Sequence, residues 1–387
     1  MLCKNCHKET GDEVLVDLGS QPLANSLVLH ATDVLGTDQD GFRLEHRYPL
    51  APVICANWHC RLIQLPPLPD DVEPFTADYP YRSGQSETWK EHLSELCAKV
   101  LPVGHVVEVG GNDGTLNHFL PPTATGYLNI DPTAPANGQR FLRCFMRPGL
   151  GVANQADCVF ALNVAAHVPD LDIFFAGIRE VMKDNAKLVV EVQDVNKLIE
   201  RGEWDCIYHE HYSYFNGSTL ADAIERRGFF VSKIEPIGVH GGSVRVYAYK
   251  NLLVDHPLSH TPLRIIKPYP QWPRDVEQDI RATAVWFSLQ SGRRVVGYGA
   301  PAKANTMLNA CGITTRQMEY IVDSTPEKIG KFTPASHIEI KSPDVLDTDT
   351  PDIIVVLAWN WLSEIRPKLQ AHVDRGVEIW CRGERVA

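Results

Sequence analysis

Along this chain the period of the hydrophobic positions changes repeatedly, and each change marks an element. In "SETWKEHLSELCAKVL" the apolar residues recur at helical spacing, predicting an amphipathic helix. The next stretch, "HVVEVGGNDGTLNHFL", opens as an apolar strand, passes a glycine turn and is expected to continue as a helix. "TGYLNID", "ADCVFALN" and "AKLVVEVQ" then read as buried strands, with "DIFFAGIREVMK" a helix among them. Buried strand alternating with amphipathic helix predicts a doubly wound parallel sheet. From about Thr261 the pattern starts again. "EQDIRATAVWFSLQSG" is a helix, "RRVVGYGAPAKANTMLNACG" is strand, glycine turn and helix, and "MEYIVDST", "PDIIVVLAWNW" and "GVEIWC" are further strands. The expectation is an α/β protein in which two Rossmann-like domains follow an N-terminal module.

Length agrees, because 387 residues exceed one ordinary core. No apolar run approaches a membrane span, and "MLCKNCHKET" lacks the layout of a signal peptide, so a cytoplasmic protein is expected. A net charge of -11 argues against nucleic acid or a membrane surface as partner. The oligomeric state is left open.

Ten cysteines in such a chain do not form a disulfide framework, and six of them are scattered as small apolar residues. The other four fall in two close pairs, Cys3 with Cys6 and Cys55 with Cys60. Two such knuckles suit a closed tetrahedral zinc site, which stabilises structure and does no chemistry. The second pair, "CANWHC", is wider than usual, so His59 is an alternative ligand. After Cys60, "RLIQLPPLPDDVEPF" reads as a connection leaving the module.

The first glycine turn, "EVGGNDGT", is not the dinucleotide fingerprint. Gly110 and Gly111 admit a ligand to the backbone, Asn112 lies between them and Asp113, and Glu108 and Asp113 flank the turn. Asp131, 23 residues after Glu108, is placed to hold ribose hydroxyls. Acids beside the turn suit a cation, and S-adenosylmethionine, with its sulfonium and amino-acid tail, fits. Asn163 and His167 in "ALNVAAHV" end a strand at the edge where that cofactor belongs. The second turn, "GYGAPAKAN", carries Lys303, whose ammonium suits a phosphate; a decayed nucleotide site is the other reading.

Taken in order, "LGSQPLANSL", "EVGGNDGTL", "ALNVAAHVPDL", "YHEHYSYFNGSTL", "HGGSVRVY", "GYGAPAKANTMLNACGI", "DSTPEKIGKFTP" and "LAWNW" resemble the nucleotide-sugar C-methyltransferases of branched deoxysugar biosynthesis. The resemblance spans essentially the whole chain. It implies a zinc-binding module (1–70), an S-adenosylmethionine-dependent methyltransferase domain (71–255) and a C-terminal Rossmann-like domain (256–387). A nucleoside-diphosphate keto-deoxysugar would lie between the last two. The widened second knuckle, "TPASHIEI", and Arg82 in "YPYRSGQS" depart from the family pattern.

"YHEHYSYF" (208–215) crowds two imidazoles, a carboxylate and four aromatic rings into eight residues. Carbon attacks a methyl sulfonium only after a proton is removed beside an electron sink. A 4-keto sugar supplies the sink, leaving the protein to supply a base, an oxyanion donor and water exclusion. The resemblance makes His211 the base, with Glu210 orienting it and Tyr208 donating. If the segment is extended, His209 points to the other side. Tyr79 and Tyr81 are expected near the sugar, and His240 and Gly241 in "HGGS" where backbone meets ligand. Competing readings are O- or N-methylation, an NAD-dependent oxidoreductase, and a non-catalytic binding protein.

Overall fold

The computed structural model describes residues 1–29, 45–69, 72–75, 82–134, 140–238, 241–251 and 270–387. By contacts the chain divides into two compact units. One comprises residues 1–15, 52–201 and 211–269; the other comprises 16–51, 202–210 and 270–387. The N-terminal 70 residues are therefore shared between the two. Tyr79, Tyr81 and His240 lie outside the described residues.

The first unit is built on a seven-stranded sheet of β1 (Gly104–Val109), β2 (Ala124–Ile130), β3 (Phe141–Leu142), β4 (Ala156–Leu162), β5 (Met182–Gln193), β6 (Phe229–Ile237) and β7 (Ser243–Lys250). Their spatial order is β6-β7-β5-β4-β1-β2-β3. Strands β1 to β5 are parallel, as the alternating pattern predicts. The wholly parallel expectation fails at the other edge, where β7 runs antiparallel to both β5 and β6. Only residues 238–242 join β6 to β7, too few for the crossover that a parallel pair needs.

Helix α1 (Glu87–Val100) covers one face of this sheet. Ser86 caps it by accepting from the Trp89 N–H, and Leu101 closes it in the left-handed region. It buries Trp89, Leu93, Leu96 and Val100 against Val106, Phe160 and Val189. Helices α2 (Leu171–Val181) and α3 (Gly217–Glu225) bring apolar residues to the other face, where Phe174, Phe175, Leu220 and Ile224 join Val107, Val159 and Val190. A capping box between Asn216 and Thr219 fixes the start of α3. After the first glycine turn the expected helix is only a 3-10 segment, Thr115–Phe119. The connection after Cys60 also differs from expectation. Ile63–Gln64 is a strand paired with Val53–Ile54 on one side and with Ser213–Tyr214 on the other.

The second unit holds a six-stranded sheet of β8 (Val295–Tyr298), β9 (Ile321–Val322), β10 (Ile340–Lys341), β11 (Ile353–Val356), β12 (Glu378–Cys381) and β13 (Glu384–Arg385). Their order is β10-β9-β8-β11-β12-β13, parallel except for the last hairpin. Helix α4 (Trp272–Leu289) precedes β8, and α5 (Ala302–Cys311) leads from β8 towards β9. No described helix is long and apolar enough to cross a membrane.

Candidate functional site

The four paired cysteines converge. One sulfur from each of Cys3, Cys6, Cys55 and Cys60 lies within 4.8 Å of the others. Cys3 and Cys60 are 3.7 Å apart, and Cys6 and Cys55 3.6 Å. These separations match the edge of a tetrahedron with metal–sulfur bonds of about 2.3 Å. His59 is not in the group; its ring stacks on the exposed Trp58. The protonation states also fit a cation. Hydrogen bonding from Cys60 pulls the Cys3 thiol down to about 4, while burial pushes Cys55 up to about 12. Cys60 is raised as well, first by its bond to Cys3 and then by burial. Asn5 ties the cluster to the sheet domain, donating to Cys60 Sγ at 3.5 Å and to Asp222 at 2.7 Å.

At the first glycine turn the chain needs left-handed backbone at Gly110 (φ 70°) and Asn112 (φ 50°). A Cβ at Gly110 would lie 2.5 Å from Val164, and one at Gly111 2.4 Å from the Glu108 carboxyl, so both glycines are required by packing. Asp131 receives the Asn112 N–H at 2.8 Å and the Thr133 N–H and hydroxyl at 2.6 Å each. Asp113 receives the Gly84 N–H at 2.8 Å and the Thr115 hydroxyl at 2.6 Å. Glu108 is buried and accepts from the Tyr127 hydroxyl. Burial first, then repulsion from Asp131 and Asp113, raises its carboxyl to about 8, against the pull of the Tyr127 bond. Three carboxyls around one turn make a site that a cation would relieve, which fits the sulfonium and ammonium of S-adenosylmethionine. Tyr127, which sequence reasoning did not select, belongs to this site; a tyrosine inside "TGYLNID" gave no signal beyond strand propensity.

Asn163 ends β4 in the left-handed region (φ 55°), donating its N–H to the Glu191 carbonyl at 2.7 Å. That bend leads into the short turn Ala165–His167. The second half of the octapeptide is held on the same edge. Phe215 bridges Asp194 beyond the end of β5, and Tyr212 accepts from the Leu65 N–H. His211 is thereby brought 4.6 Å from His167, ring centre to ring centre. Tyr214 lies edge-on to His211 at 5.7 Å, and Phe75 edge-on to His167 at 5.5 Å. Phe75 was missed because it closes a proline-rich stretch with no periodicity.

Tyr208, His209 and Glu210 fall in the second unit. The chain turns at His209–Glu210 and is not extended there. His209 pairs with the Tyr48 carbonyl at 3.1 Å, and burial lowers its proton affinity. Glu210 is buried, accepts the Asn25 N–H at 3.0 Å, and is raised above the ordinary carboxylate range by that burial. Tyr208 is half-buried. Lys303 begins α5 with its ammonium 4.0 Å from the Trp359 ring centre. Gly241 adopts φ 82°, and the carbonyl of its neighbour Gly242 accepts from Asp194. At the second glycine turn Asp323 takes the Ala300 N–H at 2.7 Å and the Lys328 ammonium at 3.2 Å. Asp131 accepts a turn N–H at the first glycine turn in the same way, but only Asp323 also has a lysine ammonium against it.

Residues 81–233 match the model of a methyltransferase domain, and residues 238–381 that of the C-methyltransferase C-terminal domain. The chain is an S-adenosylmethionine-dependent methyltransferase. The curated C-methyltransferase NovU of Streptomyces niveus is 27% identical to it, over 97% of this chain and 93% of that protein. Similar solved structures include the 1,6-didemethyltoxoflavin N1-methyltransferase of Burkholderia thailandensis, with 16% identity and TM-score 0.36 over 50% of this chain and 96% of that one. A possible histamine N-methyltransferase of Thermotoga maritima gives 15%, TM-score 0.35, 42% and 88%.

Proposed function

We propose that the protein methylates the carbon beside the ketone of a nucleotide-linked 4-keto-deoxysugar, with His211 as the base. The observation that carries this reading is the ring column Phe75–His167–His211–Tyr214, in the same unit as the acidic glycine turn. Val164, between Asn163 and His167, packs on Gly110 and so couples the column to that turn. Bound S-adenosylmethionine would supply an electrophilic methyl group. Gly110, Asn112, Asp113 and Asp131 would hold it, with Glu108 beneath the turn and Asn163 and His167 at the strand edge.

The remaining tasks fall to side chains of this chain. His211 removes the proton next to the ketone, and the apolar faces of Tyr214 and Phe75 keep water from the resulting enolate. Tyr208 donates to the enolate oxygen, and Glu210, next to His211 in sequence, orients the imidazole. Tyr79, Tyr81, His240, Gly241 and Lys303 complete the assignment as sugar and phosphate contacts. Cys3, Cys6, Cys55 and Cys60 hold a structural zinc ion.

The test is exchange in deuterium oxide. With a nucleotide-linked 4-keto-6-deoxysugar, the wild type incorporates deuterium at the carbon beside the ketone and transfers methyl to that carbon. Methylation of a hydroxyl or amine without exchange at carbon would replace this reading with O- or N-methylation.

A further inference from the structure

Four of the eight tryptophans of the chain, Trp204, Trp286, Trp359 and Trp380, wall a single cleft within the second unit. It has a volume of about 120 Å³ and lies on Val355 and Val356 of β11, between α4, α5 and the hairpin β12–β13. Nothing in the proposed methyl transfer uses it.

Three features of the walls point to one kind of ligand. The rings are held in fixed orientations by carboxylates. Trp204 Nε1 donates to Asp279 and Trp359 Nε1 to Asp205, each at 2.6 Å, and Trp380 Nε1 to Glu378 at 3.0 Å. An indole whose N–H is bound to a carboxylate carries more electron density on its face, which strengthens attraction for a cation. Trp359 already holds cations on its ring: Arg382, a residue of the cleft wall, lies 5.1 Å from its centre, and Lys303, which does not line the cleft, 4.0 Å. Finally, Asp279, an exposed carboxylate on the cleft, accepts from an indole, and no ion pair to it occurs among the described residues. Trp204, Trp286 and Trp380 keep ring surface on the cleft, with Trp286 and Trp380 inclined 51° at 4.9 Å.

We infer that this cleft binds a small alkylated organic cation, such as a quaternary ammonium group, between Trp204, Trp286 and Trp380 with Asp279 as counter-charge. A volume of about 120 Å³ accommodates one such head group. A neutral apolar guest gains the same burial without the charge, so the contrast between the two isolates the inference.

Choline and its neutral isostere 3,3-dimethylbutan-1-ol are the probes, titrated against the full chain by calorimetry and by tryptophan fluorescence. Choline should bind saturably and about tenfold more tightly than the isostere. Asp279→Asn, an exposed side chain, should weaken choline several-fold without changing melting temperature. Trp286→Leu should weaken it further, with S-adenosylhomocysteine affinity unchanged as the check on folding. Equal binding of the two probes would overturn the cation assignment. Choline binding unaffected by both substitutions, or absent altogether, would overturn the site.

Discussion

The imidazoles of His167 and His211 lie 4.6 Å apart with planes inclined 54°, although 44 residues separate them in sequence. One comes from the turn after β4, the other from the segment leading to Phe215, which bridges Asp194 just beyond β5. A parallel sheet puts the carboxyl ends of adjacent strands together, and that brings both rings to one edge. If His211 is the base, His211→Asn should lower deuterium wash-in by about 10³-fold or more while leaving S-adenosylhomocysteine affinity within about twofold. Phe75→Ala should lower turnover less, through looser packing of His167. Exchange retained in His211→Asn would transfer the base role to another group.

Glu108 leads to a prediction about pH. Its carboxyl rises from the ordinary 4.5 to about 8 in the folded chain, so the folded state binds this proton more tightly than the unfolded state does. The stability it contributes is complete below about 4.5 and is lost as pH rises through about 8, a change on the order of a few kcal/mol. Glu108→Gln keeps the hydrogen-bonding shape and removes the titration. Urea midpoints measured at pH 5.5, 7 and 8.5 should decline less for the variant than for the wild type. A bound cation favours the ionised acid, so S-adenosylmethionine binding should release protons in the wild type and fewer in the variant.

The sequence pattern located the strands and helices well where burial is two-sided. "HVVEV", "ADCVFAL" and "AKLVVEVQ" are continuous apolar runs because helices cover both faces of their sheet. Direction was less legible, since "VRVYAYK" has the same period whether it pairs parallel or antiparallel; the short link before it decides. The cysteine pairs were legible because thiolate geometry restricts spacing. Phe75 was not, because its partner is a residue about ninety positions away that no local pattern reveals. The same applies to the Trp cleft, assembled from the 202–205 segment, α4, β11 and β12.

The cysteine cluster should prove structural. Cys3, Cys55 and Cys60 are part of the same buried cluster as Phe215, Leu220 and Ile224, so loss of the metal would loosen the sheet domain itself. Cys3→Ser should lower zinc content and melting temperature by about 5–10 °C, with turnover per folded molecule near normal. Asn5→Ala should give a smaller loss of stability with zinc retained. A Cys3→Ser protein with normal melting temperature and no turnover would make the metal catalytic.

Glu191 is fully buried between an imidazole and a guanidinium, with His92 Nε2 at 2.9 Å and Arg245 at 2.8 Å. Burial alone would raise its carboxyl; His92 and Arg245 outweigh that and hold it below the ordinary range. Its contribution to stability is therefore present above the unfolded value of 4.5 and is lost as pH falls through the depressed folded one. Arg245→Met removes the guanidinium, the partner that is charged at every working pH, and should cost about 3–5 kcal/mol at neutral pH, because the carboxylate stays buried with only an imidazole beside it. In that variant burial governs Glu191, which then titrates above 4.5, and the slope reverses so that stability falls as pH rises. Between pH 5 and pH 8 this site should thus leave the wild-type urea midpoint unchanged and lower that of the variant. Adding Glu191→Leu and His92→Leu to Arg245→Met should recover much of the loss, since an apolar trio needs no counter-charge. Parallel pH dependences in wild type and Arg245→Met would mean that His92 alone suffices to keep Glu191 ionised.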